Sequence, residues 1–493
     1  MVAIIPFDRM RFLGSIIRRF PQFSYVVTLI TWSVLNAQSL AQQQGAGTDA
    51  PLDVIYLRNG HSFKGVILQE EEDTVHFRQV VRLPGKPTFA LDVVFFRNEI
   101  AAIERTSPEN RSAWLRKLDK LDPRGEKDRV RRRQLALEKE ESNDGRVFWK
   151  YRDRWFTLVA DLSNEELVRR VIVRLQDMFE AMHEYLGTRQ TSPRTLIIRL
   201  FRSKEFYQLS LKERNLSVVN PAVYLPERSE ILVLAEWERL AEEYSKLRVK
   251  HDMQLRELER YEKQIRQHYH GQPSRAILEK INSLRSQLQR FDKENEAILD
   301  RQVQPLLQLC YHEAFHAYLD IYLFAGEAKS VPRWLNEGLA QIFETAIVET
   351  GEIRIGHVDT ERLKQVQQLL RKKELPTLAE LLQSESRHFL ANHRFEDYIS
   401  NRYFVASWAL TYFLLFGVHI REGDIGNAST PQRIIQLLEK LAAESDRVKV
   451  LETWTGRPLP ELEKEYRDFF SRLRPDGTLK PVSASLDDNA RKK

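Results

Sequence analysis

One stretch constrains this chain more than any other. It is His312-Glu313-Ala314-Phe315-His316, joined after twenty intervening residues by Glu337 in Trp334-Leu335-Asn336-Glu337-Gly338. Histidines four apart on a helix share one face, so both imidazoles can reach a single point. The surrounding Leu306, Leu307, Leu309, Cys310, Phe315 and Leu319 read as a buried helix. Pro332 starts a second helix, and Trp334, Leu335, Leu339, Ile342 and Phe343 give it an apolar face to lay on the first. The fold must therefore set two helices side by side with His312, His316 and Glu337 converging.

The chain has 493 residues, enough for two or more domains with their own cores. Its single cysteine, Cys310, allows no intramolecular disulfide and reads as a small buried side chain. Residues 1–41 read as a signal peptide. Arg9, Arg11, Arg18 and Arg19 precede a short apolar run from Phe23 to Leu35, and Ser39-Leu40-Ala41 offers a cleavage site. The expected location is thus periplasmic or extracellular, with an uncleaved N-terminal membrane anchor as the alternative. Without those four Arg and one Asp, the formal charge falls from +6 to +3. That near balance gives no footprint for nucleic acid. The basic run Arg129-Val130-Arg131-Arg132-Arg133, close to Glu138, Glu140 and Glu141, reads as a solvated helix face.

Residues 42–50 read as a linker. From 51 to 107 the pattern is all β, with an Asn59-Gly60 hairpin turn and five short strands. A small SH3-like or Sm-like barrel is expected there, acting as a docking or spacer module. Residues 108–145 are charged and are expected to form a helical linker. Residues 146–235 alternate strand and helix. Ser163 with Glu166 suggests a capping box, followed by Leu167, Val171, Leu175, Met178, Met182 and Leu186 on one helix face up to Gly187.

Residues 236–303 change period. Ile277, Ile281, Leu284, Leu288, Phe291, Asn295 and Ile298 alternate spacings of four and three, which is the coiled-coil seam. Trp237, Leu240, Tyr244, Leu247, Leu258, Tyr261 and Ile265 repeat more loosely, and Gly271-Gln272-Pro273 separates the two runs. An antiparallel helical hairpin is expected, serving as a spacer arm or as a lid or docking arm. Residues 304–475 carry the two-helix motif, a short strand at Ile353–Ile355, and helices near 360–374, 377–384, 402–417, 431–444 and 459–473. Residues 476–493 read as a disordered tail.

His, His and Glu on two packed helices suit a tetrahedral Zn2+ with one position left open. Zinc would make hydroxide available at neutral pH. Glu313, beside the first histidine, would take the water's proton rather than bind metal. A donor for the developing oxyanion is also needed. Tyr403 and Tyr412 are the candidates, each with the alternative of a core aromatic.

These residues resemble the gluzincin (peptidase MA-like) superfamily. Trp334-Leu335-Asn336-Glu337-Gly338 is similar to the element of the zinc aminopeptidases. The region from about 150 to 475 resembles a family of exported bacterial proteins known as a domain of unknown function. The resemblance implies an α+β, thermolysin-like catalytic domain with zinc on His312, His316 and Glu337. It implies Glu313 as general base and a peptide or protein substrate, bound by strand addition to an edge strand. Ala222–Tyr224 and Glu230–Leu234 are both open for that edge. The sequence departs from the pattern in a longer His316-to-Glu337 spacing and in Gln341, where an acid that orients a histidine often stands. No Gly-x-Met-Glu-Asn element is present, so aminopeptidase specificity is not implied. The expected function is an exported zinc metallopeptidase in or near the envelope. The alternative is a non-catalytic envelope scaffold that keeps the fold.

Overall fold

The computed structural model describes residues 51–481, apart from 123–124, 143–144, 190–193, 217–219, 236–237, 269–274, 325–329, 350, 390–393 and 419–429. The expected signal segment, the 42–50 linker, Trp237, the 271–273 turn and residues 482–493 of the tail lie outside that set. Residues 476–481 of the expected tail are ordered. Lys480 donates its backbone N–H to Arg472 at 2.9 Å, and Leu479 bridges to Leu473.

The first unit is an antiparallel sheet of β1 (Asp53–Leu57), β2 (Ser62–Glu70), β3 (Thr74–Val81), β4 (Phe89–Phe96) and β5 (Ile100–Glu104), ordered β4-β3-β2-β1-β5. The β1–β2 turn uses Gly60 at φ 86°, a conformation that glycine takes without steric cost. All five expected strands are present. No pairing between β4 and β5 closes the sheet, so it is an open sheet rather than a closed barrel among the described residues. One face buries Ile55, Ile67, Val75, Phe77 and Phe95. The other is covered by α1 (Pro108–Lys120), which lays Trp114 and Leu118 on Val66 and Val80. These residues are four apart, so α1 belongs to the sheet's second layer and is not a free linker.

The rest of the expected linker is not wholly helical either. α2 (Glu126–Gln134) is followed by β6 (Glu138–Glu141), all four of whose residues are exposed. β6 sits on the edge of a six-stranded sheet with β7 (Val147–Arg152), β8 (Phe156–Asp161), β9 (Leu196–Phe201), β10 (Ala222–Leu225) and β11 (Glu230–Leu234). The order is β10-β11-β9-β8-β7-β6. An edge strand wet on both faces has no alternating pattern to read, which is why β6 resembles a charged helix in sequence. β8, β9 and β11 run parallel, and their partners run antiparallel. α3 (Glu165–Leu186) crosses between β8 and β9 and buries all six expected apolar positions. Its cap is one residue later than expected. Asn164 Oδ1 accepts from Leu167 N at 2.9 Å, while Ser163 donates to Glu242 at 3.1 Å. α4 (Lys204–Glu213) lies between β9 and β10.

The hairpin arm is α5 (Glu238–His268) and α6 (Arg275–Tyr318). Ile281, Leu288 and Asn295 are buried as the heptad expects, but Leu299 replaces Ile298, and Tyr261 points outward at 59% exposure. The boundary expected at 303 is absent. α6 runs unbroken for 44 residues, about 66 Å at the α-helical rise, from the arm into His312 and His316. The arm's root is clamped by charge. Glu296 meets Arg132 at 2.8 Å, Arg129 at 2.9 Å and Arg170 at 3.2 Å. Arg132 is 2% exposed, so it departs from the solvated face expected of the basic run, in which Val130, Arg131 and Arg133 are exposed. Beyond Asp128 on α2 itself, the partners of Arg132 are Glu166 and Glu296 from other elements, which composition cannot reveal.

Burial works against ionised Glu296, but Arg132, Arg170 and Arg129 outweigh it and hold its carboxyl below the usual range. A carboxyl with a depressed folded pKa contributes stability above its unfolded value of about 4.3, and that stability is lost as pH falls through the lower folded value. Amide protection in α5 and the first turns of α6, taken relative to the intrinsic exchange rate at each pH, should therefore fall below about pH 4. Glu296→Gln should exchange faster at pH 7 and lose that acid dependence. Equal acid sensitivity in both proteins would rule Glu296 out as the source.

The remaining elements are α7 (Arg333–Glu344), β12 (Ile347–Glu349), β13 (Glu352–Arg354), α8 (Thr360–Lys372), α9 (Leu378–Leu382), α10 (Arg394–Tyr412), α11 (Thr430–Ala443), α12 (Arg447–Thr455) and α13 (Leu459–Arg472). α12 is an addition to the sequence expectation. The β12–β13 hairpin also docks the N-terminal sheet. Arg82 and Lys117 each reach Glu352 at 2.6 Å, and Glu349 accepts from Thr88 N at 2.7 Å.

Candidate metal centre

The site is assembled by α6 and α7. Phe315 stacks on Phe343 with centroids 4.6 Å apart, and Trp334, Leu335 and Leu339 bury α7's inner face. α10 crosses behind α7, close enough that Gly338 sits against Ser407 and Thr411. This packing turns Glu337, 1% exposed, towards the two histidines. The ligating atoms of His312, His316 and Glu337 all lie within 4.8 Å of one another. The two Nε2 atoms are 3.1 Å apart, and Glu337 Oε2 is 3.3 Å from His312 Nε2.

The outer nitrogens of both rings are committed. His312 Nδ1 pairs with Glu344 Oε2 at 2.7 Å, and His316 Nδ1 with Asn336 Oδ1 at 2.7 Å. Acceptors at Nδ1 place the ring proton there and leave each Nε2 lone pair facing inward. Glu337 Oε2 is buried with no hydrogen-bond partner. Two lone pairs and an orphaned carboxylate oxygen thus face one another. An acceptor-only set of this kind fits a dication, and its nitrogen and oxygen donors suit zinc. Burial opposes a charge on His312, yet Glu337 and Glu344 lift it to about 10. Burial, with His312 adding to it, drops His316 to about 4.

Glu313 lies on the cleft side of α6. Burial raises its carboxyl above the usual range, only partly opposed by His312 and reinforced by Glu337. A carboxyl held above the usual carboxylate range is suited to exchanging protons. The cleft it faces holds about 660 Å³ and is bordered by β10, the starts of α6's last turns and α7, and the segment after α9. Of the two strands open for substrate, β11 is paired on both sides, whereas β10 is the sheet edge and lines the cleft.

The structure brings His312, Glu313, His316 and Glu337 together and leaves the expected tyrosines out. Tyr403 packs against His388 and Phe389, at 4.8 and 6.0 Å between ring centroids, and does not line the cleft. Tyr412 is buried in the core and donates to Gly356 O at 2.9 Å. α10 presents these rings away from the site, which a helical pattern without its neighbours cannot show.

Three positioning groups escaped the sequence reading. Glu344 orients His312 from seven residues beyond Glu337, two turns along the same face of α7. Asn336 orients His316 from within the Trp-Leu-Asn-Glu-Gly element. Arg362, from α8, pairs with Glu344 and donates to Gln341 Oε1 at 2.9 Å. Gln341 therefore does not orient a histidine. It donates to Glu337 O at 3.2 Å and Phe404 O at 3.0 Å and ties α7 to α10. The i+7 spacing was a usable signal for Glu344; Arg362 had none, because it arrives from a different helix.

Residues 308–419 match the model of the family described as "Protein of unknown function (DUF1570)". The matched segment spans the two histidines, Glu313, Glu337 and Glu344. No curated protein matches the chain.

Proposed function

We propose that the protein is an exported zinc metallopeptidase of gluzincin type, with residues 138–475, which include the whole six-stranded sheet, as a thermolysin-like catalytic unit and the arm as an insertion. The observation that carries this reading is the inward-facing His312, His316 and orphaned Glu337 oxygen, with Glu313 beside them on an open cleft. Zinc, when bound, supplies Lewis acidity towards a water and a carbonyl. Glu344 and Asn336 hold the two imidazoles with Nε2 forward. Glu313 takes a proton from the attacking water and delivers it to the leaving amine. The free edge of β10 offers its backbone to an extended substrate, as strand addition requires.

The competing reading is a non-catalytic scaffold on the same fold. A scaffold needs no proton acceptor, and the placement of Glu313 on the cleft favours hydrolysis over it. Export rests on the basic and apolar N-terminal sequence. No helix among the described residues is long and apolar enough to cross a membrane.

The purified chain should hold about one zinc per molecule, set by three protein ligands, and Glu337→Ala should abolish that. Glu313→Gln should retain zinc and lose hydrolysis of a peptide library by about 10²–10⁴-fold. Cleavage by Glu313→Gln at the wild-type rate would refute the mechanism.

A further inference from the structure

Hydrolysis of an amide gathers negative charge on the carbonyl oxygen, and a fixed donor for that charge is commonly the largest single contribution of an active site. Neither expected tyrosine reaches the cleft. The two tyrosines nearer to it are committed: Tyr224 donates to Asp320 at 2.8 Å and Tyr207 to Asn220 O at 2.7 Å. Among the described cleft residues two guanidiniums remain. Arg447 donates to Leu382 O at 2.9 Å, on the side of α9.

Arg333 is placed differently. It is the first residue of α7, one turn before Glu337, and its Nη2 lies 2.5 Å from Glu337 Oε1. Glu337 is 1% exposed, whereas the Arg333 side chain is 45% exposed and lines the same cleft as His312, Glu313 and His316. One edge of the guanidinium is therefore anchored on the metal-facing carboxylate while the rest faces the substrate space. Arginine has five N–H donors in a rigid fork and keeps its charge at any working pH, so anchoring one leaves others available.

We propose that Arg333 is a catalytic residue of this centre and supplies the cationic N–H donor for the carbonyl oxygen of the peptide under attack. The inference rests on the hydrolytic reading above. As the water oxygen bonds to the carbonyl carbon, the C=O π pair moves onto the oxygen facing Arg333. When that pair returns, the C–N bond breaks, and the amine leaves with the proton that Glu313 took from the water. Arg333 gives up no proton. It lowers the energy of the charged oxygen, so its contribution falls on kcat rather than on KM.

The test uses the zinc-loaded full chain and its Arg333→Gln variant on a quenched fluorescent peptide library. Zinc stoichiometry and affinity are measured in parallel by competition with a chromophoric chelator. Arg333→Gln should lower kcat by about 10²–10³-fold with KM little changed. Zinc affinity should be equal or higher, because a cation beside the dication has been removed. Arg333→Lys, a charged side chain without the fork, should fall between the two. A wild-type kcat in Arg333→Gln would overturn the proposal, and so would a loss of activity that parallels a loss of zinc, since Arg333 would then only hold Glu337 in place. A zinc-loaded wild type that cleaves no peptide would remove the hydrolytic reading and this proposal with it. A wild type that cleaves, with Arg333→Gln equal to it, removes this proposal alone.

Discussion

Gly338→Ala is expected to destabilise the chain by about 3 kcal/mol, even though alanine is the better helix former by about 1 kcal/mol. Propensity loses here because of what α7 packs against. A Cβ on Gly338 would collide with Thr411 Oγ1 and the Ser407 carbonyl and lie 2.8 Å from Thr411 Cβ. Thr411 and Ser407 are fully buried on α10, so neither has room to retreat. The two helices must separate, and α7 carries Glu337 and Glu344 with it. Zinc uptake should fall together with the denaturation midpoint. Adding Thr411→Ala removes the Oγ1 contact but leaves the Ser407 carbonyl and the residue-411 Cβ, so the double variant should recover only part of the loss. A Gly338→Ala protein as stable as wild type in urea would show that α7 and α10 are not packed this closely.

Glu344→Ala is expected to weaken zinc binding by about 10–100-fold, the usual cost of removing a carboxylate that orients a ligating imidazole. The physical reason is local. Without Glu344 Oε2 at 2.7 Å, His312 loses the partner that fixes its tautomer and ring plane. Arg362 also loses its charged partner on α7, although Gln341 Oε1 at 2.9 Å and Asp359 at 2.6 Å still hold it. Glu344→Gln keeps an acceptor but not the charge and should fall between the two. Gln341→Ala should have a smaller effect on the metal, because Gln341 bonds to backbone oxygens of α7 and α10 rather than to a histidine. Chelator competition on the three variants gives the ranking. A larger loss in Gln341→Ala than in Glu344→Ala would reverse the assignment.

The contrast between these two positions shows where the sequence was readable. Helix periodicity places His312, His316, Glu313 and the apolar face of α7 on correct sides, because those relations lie within one helix and repeat every 3.6 residues. The same holds for α3, whose six expected apolar positions are all buried. It fails where a side chain's role depends on a second element. Tyr403 and Tyr412 had the right chemistry for an oxyanion donor, yet α10 turns both rings elsewhere. Arg132 looked like part of a solvated stripe and is instead buried between Asp128, Glu166 and Glu296. β6 had no pattern at all, since a strand exposed on both faces has no buried side to mark.

The sequence by itself determined the convergence of His312, His316 and Glu337, the place of Glu313 beside them, the two helices that meet there, the five N-terminal strands and the heptad arm. These are local patterns, enforced by burial along a single element. Only the tertiary structure decided which groups aim those side chains, which strand edge faces the cleft, and that the arm and the histidine helix are one continuous α6. It also decided that Arg333 lies with one edge on Glu337 and the other in the cleft. Such relations join residues from different elements, and the packing of α6, α7, α8 and β10 sets distances between them that no single periodicity encodes.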